Sequence, residues 1–328
     1  MITIRNLVLA VVTTVSLMSA LAEESATPGS ITVGGRYSEE QSSGLADFLI
    51  PLWRYENGQL FADPRFIPSE NSEQEADVGL GWRHWFEEAG LIAGLNAYYD
   101  SRWTSDDHHF NQVGVGLELL SDWVDARANY YLPENKDKLI DSFETESTRT
   151  STSTGGGSWE EPYASGYSIQ QDHVVEVRKT TTTTRQLFEQ FETASEGWDG
   201  EIGFRLPGID RWAEVRLFGG YYDFAGAFGA GDAEGFKSRI EIRACSALFF
   251  DAEVFDNKDL NGSDYYAGAR LQLPFDLANL ARGKNPFSAS TQKPAALSSR
   301  LSEMVMRNPG IRMTQSGPIE NLDARQVT

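Results

Sequence analysis

The chain has 328 residues, of which 40% are hydrophobic, and its formal net charge is −20 at pH 7. This acidity excludes nucleic acids and anionic lipid surfaces as main partners, because both are recognised through basic residues. The single cysteine, Cys245, excludes an intramolecular disulfide, and we predict that it is an inert thiol in a tight turn between two strands.

The N-terminus has the pattern of a cleavable signal peptide. Arg5 precedes a mostly apolar run from Leu7 to Met18, and Ala20-Leu21-Ala22 has the small residues of a cleavage site. The apolar run is short for a membrane span, so an uncleaved anchor is the weaker alternative. We predict a signal peptide over residues 1–22 and export of the rest of the chain.

Runs of about ten residues with alternating apolar and polar side chains follow, most clearly at Gln112–Leu119 and Phe236–Ala244. Because successive side chains of a strand point to opposite faces, each run predicts a strand with one apolar and one charged face. The twelve predicted strands, all within residues 23–275, are Ser30–Tyr37, Asp47–Trp53, Gln59–Phe66, Asp77–Trp85, Gly90–Asp100, Asn111–Leu119, Trp123–Tyr131, Gly197–Leu206, Trp212–Tyr222, Phe236–Ala244, Phe249–Phe255 and Asp264–Leu273.

The connections between these strands alternate in length. Every second one is short, as at Tyr55–Gly58 and Glu87–Ala89, whereas the others are mostly longer and more polar. Outer-membrane barrels have short periplasmic turns and long external loops, and confining charge to one strand face avoids a cost of ~2–4 kcal/mol for a midplane lysine or arginine facing lipid. The predicted fold class is therefore an all-β, twelve-stranded, antiparallel transmembrane β-barrel.

Residues 133–196 are an insertion in the predicted barrel. Two Thr-rich tracts, Thr145–Thr154 and Thr180–Thr184, flank a middle part rich in Gly, Pro and Tyr. Because Thr favours strands, the tracts predict a long external hairpin, with a disordered low-complexity loop as the alternative.

The strand pattern ends near residue 275, and we predict a C-terminal linker over residues 276–328. Within it, Ala295–Met306 carries apolar residues at helical spacing and predicts a helix. The last residues, to Thr328, are predicted to be a disordered tail.

Candidate catalytic and metal sites are few. Asp106–His109 offers the best metal ligands, but adjacent loop residues favour a solvated loop over a metal site. Asp251 and Glu253 share a strand face, and cationic residues of the same phase on the neighbouring strand favour a charge-balanced lining over a glycosidase pair. The chain lacks a G-x-S-x-G elbow and a P-loop. We expect no enzyme activity and no cofactor.

Several short motifs follow one another in a defined order. They are Asn96–Asp100, Gly114–Leu119 with Asp125–Pro133, Glu196–Asp199 with Arg205–Pro207, and Arg300-Leu301 with Met304–Asn308. Their combination, over Ile31–Ile311, resembles the β-domain of inverse autotransporters of the intimin and invasin type.

This resemblance implies a twelve-stranded outer-membrane barrel whose C-terminal linker passes through the pore and displays an adhesive passenger. It also implies contact with outer-membrane lipid, with the barrel-assembly machinery and periplasmic chaperones, and through external loops with a host or cell-surface ligand. Because this chain ends at Thr328 and its first strand follows the signal closely, we expect neither Ig-like or lectin-like passenger domains nor a peptidoglycan-binding module. The alternatives are a plugged porin-like or structural barrel and a secreted soluble β-sandwich.

The charged strand faces give the predicted pore lining, and the resemblance gives the linker residues in or near the pore. The predicted lining is Glu118, Asp125, Arg127, Asn129, Glu201, Arg205, Glu214, Arg216, Arg239, Glu241, Arg243, Asp251, Glu253 and Arg270. The linker residues are Arg300, Leu301, Val305, Arg307 and Asn308.

Overall fold

The computed structural model describes residues 29–38, 42–134, 136–209, 212–257, 262–287, 296–308 and 310–327. The predicted signal peptide, residues 1–22, lies outside this part of the chain. Among the described residues, we find no helix with the length and apolar character needed to cross a membrane. The described residues belong to two compact units, called here the barrel unit (Met1–Lys138 and Thr193–Thr314) and the hairpin unit (Leu139–Glu192 and Gln315–Thr328).

Strands dominate both units. They are β1 (Gly29–Ser38), β2 (Ser43–Tyr55), β3 (Gly58–Pro68), β4 (Gln74–Phe86), β5 (Leu91–Trp103), β6 (His109–Ser121), β7 (Val124–Pro133), β8 (Asp137–Trp159), β9 (Tyr163–Ser165), β10 (Ser168–Gln170), β11 (His173–Ala194), β12 (Gly197–Arg205), β13 (Glu214–Phe224), β14 (Ala233–Arg243), β15 (Leu248–Asn257), β16 (Gly262–Phe275), β17 (Met313–Gln315) and β18 (Ile319–Val327). The helical elements in the described residues are α1 (Leu277–Ala281) and two 3-10 helices, Glu70–Ser72 and Leu297–Ser302.

Twelve of the described strands, β1–β7 and β12–β16, form a closed antiparallel barrel. Each pairs with its neighbours in chain order, β12 follows β7 across the insertion, and β1 closes the barrel against β16 with Ile31 opposite Leu273. The twelve-stranded fold predicted from the alternating runs is confirmed. Closure leaves no free strand edge in the barrel, as a membrane-spanning sheet requires.

The two ends of the barrel differ in the length of their connections. One end, called here the short-turn end, carries tight turns such as Tyr55–Gly58 and the turn at Cys245. Gly90 ends another of these turns with φ = 60°, a left-handed conformation that glycine adopts without strain. The opposite end, the long-loop end, carries the remaining connections and the insertion between β7 and β12.

The two faces of the barrel wall have opposite chemistry. Apolar side chains on the outer face are exposed, with Leu117 57% and Phe236 67% exposed, whereas charged side chains on the inner face, such as Glu118, are buried. In a membrane the outer face contacts lipid hydrocarbon. In the described part of the wall, apolar side chains therefore lie on the outer face and charged side chains on the inner face, as the alternation in the sequence predicts.

Inward-facing glycines make room for aromatic rings. A Cβ at Gly81 would lie 2.2 Å from Cζ of Phe61, so the ring occupies the space that a side chain there would need. We expect Gly81→Val to destabilise the folded barrel by about 1–3 kcal/mol through overpacking. Heat-modifiable migration in detergent gels measures this loss, and Phe61→Ala in the same chain is expected to restore the folded band. A Gly81→Val barrel as heat-stable as the natural one would contradict this packing.

The insertion forms a long hairpin. Strand β8 pairs with β11, and the facing hydroxyls Thr148···Thr183 and Thr150···Thr181 lie 3.5 and 3.4 Å apart. Because one partner number rises as the other falls, the two strands are antiparallel. The Thr-rich tracts therefore form the hairpin that their β propensity predicts, and not a disordered low-complexity loop.

Two predictions for the C-terminal region are wrong. The helix predicted to reach Met306 is a 3-10 helix that ends at Ser302, because the carbonyls of Leu301, Glu303 and Val305 accept hydrogen bonds from barrel side chains instead of from a following helical turn. The tail predicted to be disordered forms β17 and β18, which pair with β11. Main-chain pairing on an existing strand edge orders a segment whose own composition is polar.

Candidate functional site in the barrel interior

A segment of the C-terminal region occupies the barrel lumen. Residues 296–308 and 310–311, called here the lumenal segment, contact several strands of the closed barrel. The carbonyl of Ser302 accepts hydrogen bonds from Ser30 Oγ of β1 and Gln272 Nε2 of β16, at 2.7 and 2.9 Å. On β3, Gln59 Nε2 donates to the carbonyl of Leu301 at 2.6 Å. The predicted linker residues Leu301 and Val305 are buried in this packing.

The lumenal segment runs from the short-turn end to the long-loop end. Arg300 Nη1 donates to the carbonyl of Ser121, the last residue of β6, at 2.7 Å. At the other end, the Ile311 N–H donates to Glu75 near the start of β4, and the Ile311 side chain packs on Phe110 near the start of β6. A chain of this length with one short 3-10 helix can reach about 40 Å when extended, which is enough to cross the ~25 Å apolar band of an outer-membrane barrel.

A buried ionic cluster holds the first half of the segment. Arg300 binds Asp125 through two parallel N–H···O bonds, at 2.9 and 2.7 Å, and its Nε donates to Glu303 at 2.7 Å. Glu303 in turn binds Arg243 of β14 at 2.7 Å, and Arg216 Nη1 lies 3.0 Å from Asp125. Two-point guanidinium–carboxylate pairing fixes orientation as well as charge. This cluster therefore joins the segment to both β7 and β14.

A second ionic contact holds the other half of the segment. Arg307 binds both oxygens of Asp100 on β5, with one N···O distance of 2.6 Å. Its guanidinium lies over the rings of Tyr98 and Tyr131, 4.4 and 5.4 Å from their centroids. The Asn308 N–H donates to Tyr131 Oη at 2.8 Å. Cation–π contacts and a charge-assisted pair thus act on the same side chain.

Arg83 of β4 connects the barrel wall to the backbone of the segment. Its side chain is fully buried, its Nη1 donates to the carbonyls of Leu301 and Glu303, and its Nε pairs with Glu118. The lining predicted from the sequence does not include Arg83 or Asp100. The same alternation that identified the later strands places Arg83 in phase with Asp77 on β4, so the signal was present in the sequence.

The predicted lining residues all lie on the inner face of the wall. Most are fully buried, and they pair mainly with one another, as in Arg127–Glu201 at 2.8 Å and Arg239–Glu201 at 2.6 Å. Arg205 is the most accessible, with 19% of its side chain exposed, and it lies over the Trp123 ring near the short-turn end. Further contacts of the predicted lining residues include Asn129 with Asp199, Arg216 with Glu214, Arg239 and Arg243 with Glu241, and Arg270 with Asp251.

The two sites considered for chemistry have structural partners. Asp251 pairs with Arg270 at 3.1 Å, and Glu253 accepts a hydrogen bond from Tyr266 at 3.2 Å. In the Asp106–His109 loop, the His109 ring stacks on Trp103 with centroids 4.8 Å apart. Within the described residues, the side chains close enough together to share a metal ion are instead three buried carboxylates. These carboxylates contact Arg307 and the Ile311 N–H. They are Glu75, Asp77 and Asp100.

Hydrogen bonds also fix the base of the insertion, at the long-loop end of the barrel. Glu196 accepts from Tyr130 Oη and from Lys136 Nζ, each at 2.6 Å. These two donors hold the pKa of the Glu196 carboxyl below its usual value. On β5, Tyr99 Oη donates to Glu134 at 3.1 Å. Tyrosines therefore stand at the polar rim of the wall, where membrane proteins place them.

Comparisons with known proteins agree with this architecture. Residues 12–308 match the family model described as the β-domain of inverse autotransporters. The chain is similar to one solved in work on the mechanism of in-meso crystallization of membrane proteins, with 14% identity, a TM-score of 0.57, and coverage of 88% of this chain and 100% of that one. At this identity the likeness concerns the fold alone.

Weaker structural likenesses include an outer membrane channel from Pseudomonas putida F1 (11% identity, TM-score 0.41, coverage 76% and 96%). The translocator domain of the autotransporter NalP from Neisseria meningitidis is a further one (10% identity, TM-score 0.31, coverage 80% and 94%). A search of the curated proteins found no match.

Proposed function

Since the chain belongs to the inverse autotransporter β-domain family and is an outer-membrane β-barrel, we propose that it is a translocator that carries its own C-terminal segment to the cell surface. In this proposal residues 1–22 direct export across the inner membrane, and periplasmic chaperones and the barrel-assembly machinery insert the barrel. The segment that leaves the pore is available to contact a host or cell-surface ligand.

The direction of the lumenal segment is the observation that carries the proposal. Short turns of outer-membrane barrels face the periplasm and long loops face the exterior. A segment that enters beside Ser121 and leaves beside Glu75 and Phe110 therefore runs outward. A translocator whose exported segment still lies in the pore has this arrangement. A plug inserted from either side does not need to cross the whole lumen.

A plugged porin-like barrel is the second candidate, because the same segment fills the lumen. The two candidates differ in where the chain beyond the lumenal segment lies. For either one we propose that no catalysis is involved, because inner-face carboxylates such as Asp251 are engaged by arginines.

An epitope tag placed after Thr328 tests the proposal directly. We expect antibody to reach this tag on intact cells, because the chain leaves the barrel at the long-loop end. A tag in the Glu87–Gly90 turn serves as the control and is expected to react only after the outer membrane is permeabilised, whereas a tag at Gly166 in the insertion is expected to react on intact cells. A C-terminal tag that behaves like the Glu87–Gly90 tag would reject the translocator and favour the plug.

A further inference from the structure

Within the hairpin unit, strand β11 is paired on both edges. One edge pairs with β8, and the other pairs with the C-terminal strand β18 in an antiparallel register. The outermost described pair is Thr184 with Val327, and the innermost is Glu189 with Ile319. Ser316 continues the contact, since its N–H donates to the Phe191 carbonyl at 2.9 Å and its Oγ accepts from the Phe191 N–H at 2.9 Å.

The pairing has a specific register. Between Asn321 and Gln326, β18 bulges away from β11, and the Asn321 Oδ1 accepts the N–H groups of Asp323 and Ala324 at 3.1 and 3.3 Å. The Asn321 Nδ2 donates to Glu189 at 3.1 Å, and Gln186 Nε2 donates to Glu320 at 2.8 Å. Side chains thus select one alignment of β18, where backbone bonds alone would accept several.

The C-terminal strand adds a third strand to part of the hairpin. A two-stranded hairpin is marginally stable in water at best, and a free strand edge is an open template for pairing. Residues of β11 next to β18, such as Leu187 and Phe188, are half-buried, whereas His173–Lys179, beyond the paired region, are exposed. The C-terminal strand therefore pairs with the part of β11 whose side chains are half-buried.

We infer that β11 is a strand-addition site for residues 313–327 of the same chain, and that the insertion captures this segment as it emerges and begins its folding. This inference rests on the proposed export through the barrel. The main-chain bonds to β11 form only after the segment has left the lumen, so each bond opposes its return. The insertion then acts as an intramolecular template that retains the exported segment at the surface.

A cysteine pair tests the register. In a Cys245→Ser background, Arg185→Cys with Gln326→Cys places the thiols on directly opposed residues, which cross-strand disulfides require. We expect this pair to cross-link in the purified full-length protein and on cells. The control, Arg185→Cys with Ile319→Cys, uses residues that the register separates and is expected to stay reduced. Equal cross-linking of the two pairs, or none in the first, would overturn the inference.

Backbone substitution tests the retention. Glu320→Pro with Asn321→Pro removes two successive backbone N–H groups. Because successive N–H groups of a strand point alternately toward and away from the neighbouring strand, one of the two removed groups faces β11. With the C-terminal tag in place, we expect trypsin on intact cells to cut at Arg325 roughly tenfold faster than in the natural chain, because the open form is more populated. Glu320→Thr with Asn321→Thr keeps the N–H groups and is expected to stay closer to the natural rate.

The outcomes separate this inference from the proposed function. Unchanged trypsin cleavage in the proline variant, with the tag accessible, would overturn strand addition and leave export intact. A tag that is inaccessible on intact natural cells, together with cross-linking of the 185–326 pair in purified protein, would reject export and leave strand addition standing.

Discussion

Asp125→Asn is expected to weaken the docking of the lumenal segment severely. The Asp125 carboxylate is fully buried and faces three guanidiniums, those of Arg300, Arg216 and Arg127. Without its charge these cations repel one another in a site that water does not reach. Breaking a buried ion pair in this way costs about 3–5 kcal/mol. We expect a lower temperature for heat-modifiable unfolding, and intermittent conductance where the natural barrel is closed.

Two further variants test whether the effect is specific to the buried carboxylate and to its pairing with Arg300. Asp323→Asn changes the same side chain on the exposed part of β18 and is expected to alter neither readout. Asp125→Asn combined with Arg300→Gln removes both partners, and we expect it to be less unstable than the sum of the two single variants, because the residues are directly coupled. An Asp125→Asn barrel as stable and as closed as the Asp323→Asn control would show that the cluster does not hold the segment.

A chain that stops after Phe287 is expected to form an open pore. This truncation keeps all twelve barrel strands and removes the lumenal segment with β17 and β18. A twelve-stranded barrel is wider than eight-stranded barrels, which side chains fill, so removing the threaded segment is expected to raise conductance in planar bilayers on the order of tenfold. Heat-modifiable migration of the same preparation establishes that the truncated barrel is folded.

The matched control for the truncation is a chain that stops after Ser316. It loses β18 but keeps every lumenal contact, including those of Arg300 and Arg307. We expect this chain to conduct as little as the full-length protein. If both truncated chains conduct equally, the segment is not what closes the barrel, and if neither conducts, the inward-facing side chains close it by themselves.

Strand positions and faces were predictable because they depend on a local pattern. Side chains of a strand alternate with a period of two, so Glu118 and Leu117 were assigned to opposite faces from their neighbours alone. The structure buries the first and exposes the second. The Thr-rich hairpin was predictable for a similar reason, since Thr148 and Thr183 belong to tracts with strong β propensity.

The lumenal segment was predicted only in part. Leu297, Leu301, Met304 and Val305 have helical spacing, yet the helical turn ends at Ser302. A helix forms when its backbone carbonyls accept hydrogen bonds from N–H groups of the next helical turn. Here Arg83 and Arg65, which are far away in the chain, donate hydrogen bonds to the carbonyls of Glu303 and Val305. Local spacing carries no information about such distant donors.

The sequence by itself determined that this chain forms an outer-membrane barrel, because alternation, one-sided charge and turn lengths are local features imposed by lipid on one face and polar contacts on the other. Only the tertiary structure decided which inward charges meet, as with Asp125 and Arg300, or Asp100 and Arg307. Barrel closure brings together residues that are distant in the chain, and the direction of the lumenal segment follows from its contacts near the two ends of the barrel. The addition of β18 to β11 is a separate main-chain pairing of distant residues within the hairpin unit. No periodic pattern encodes these contacts, because they join residues that are far apart in the chain.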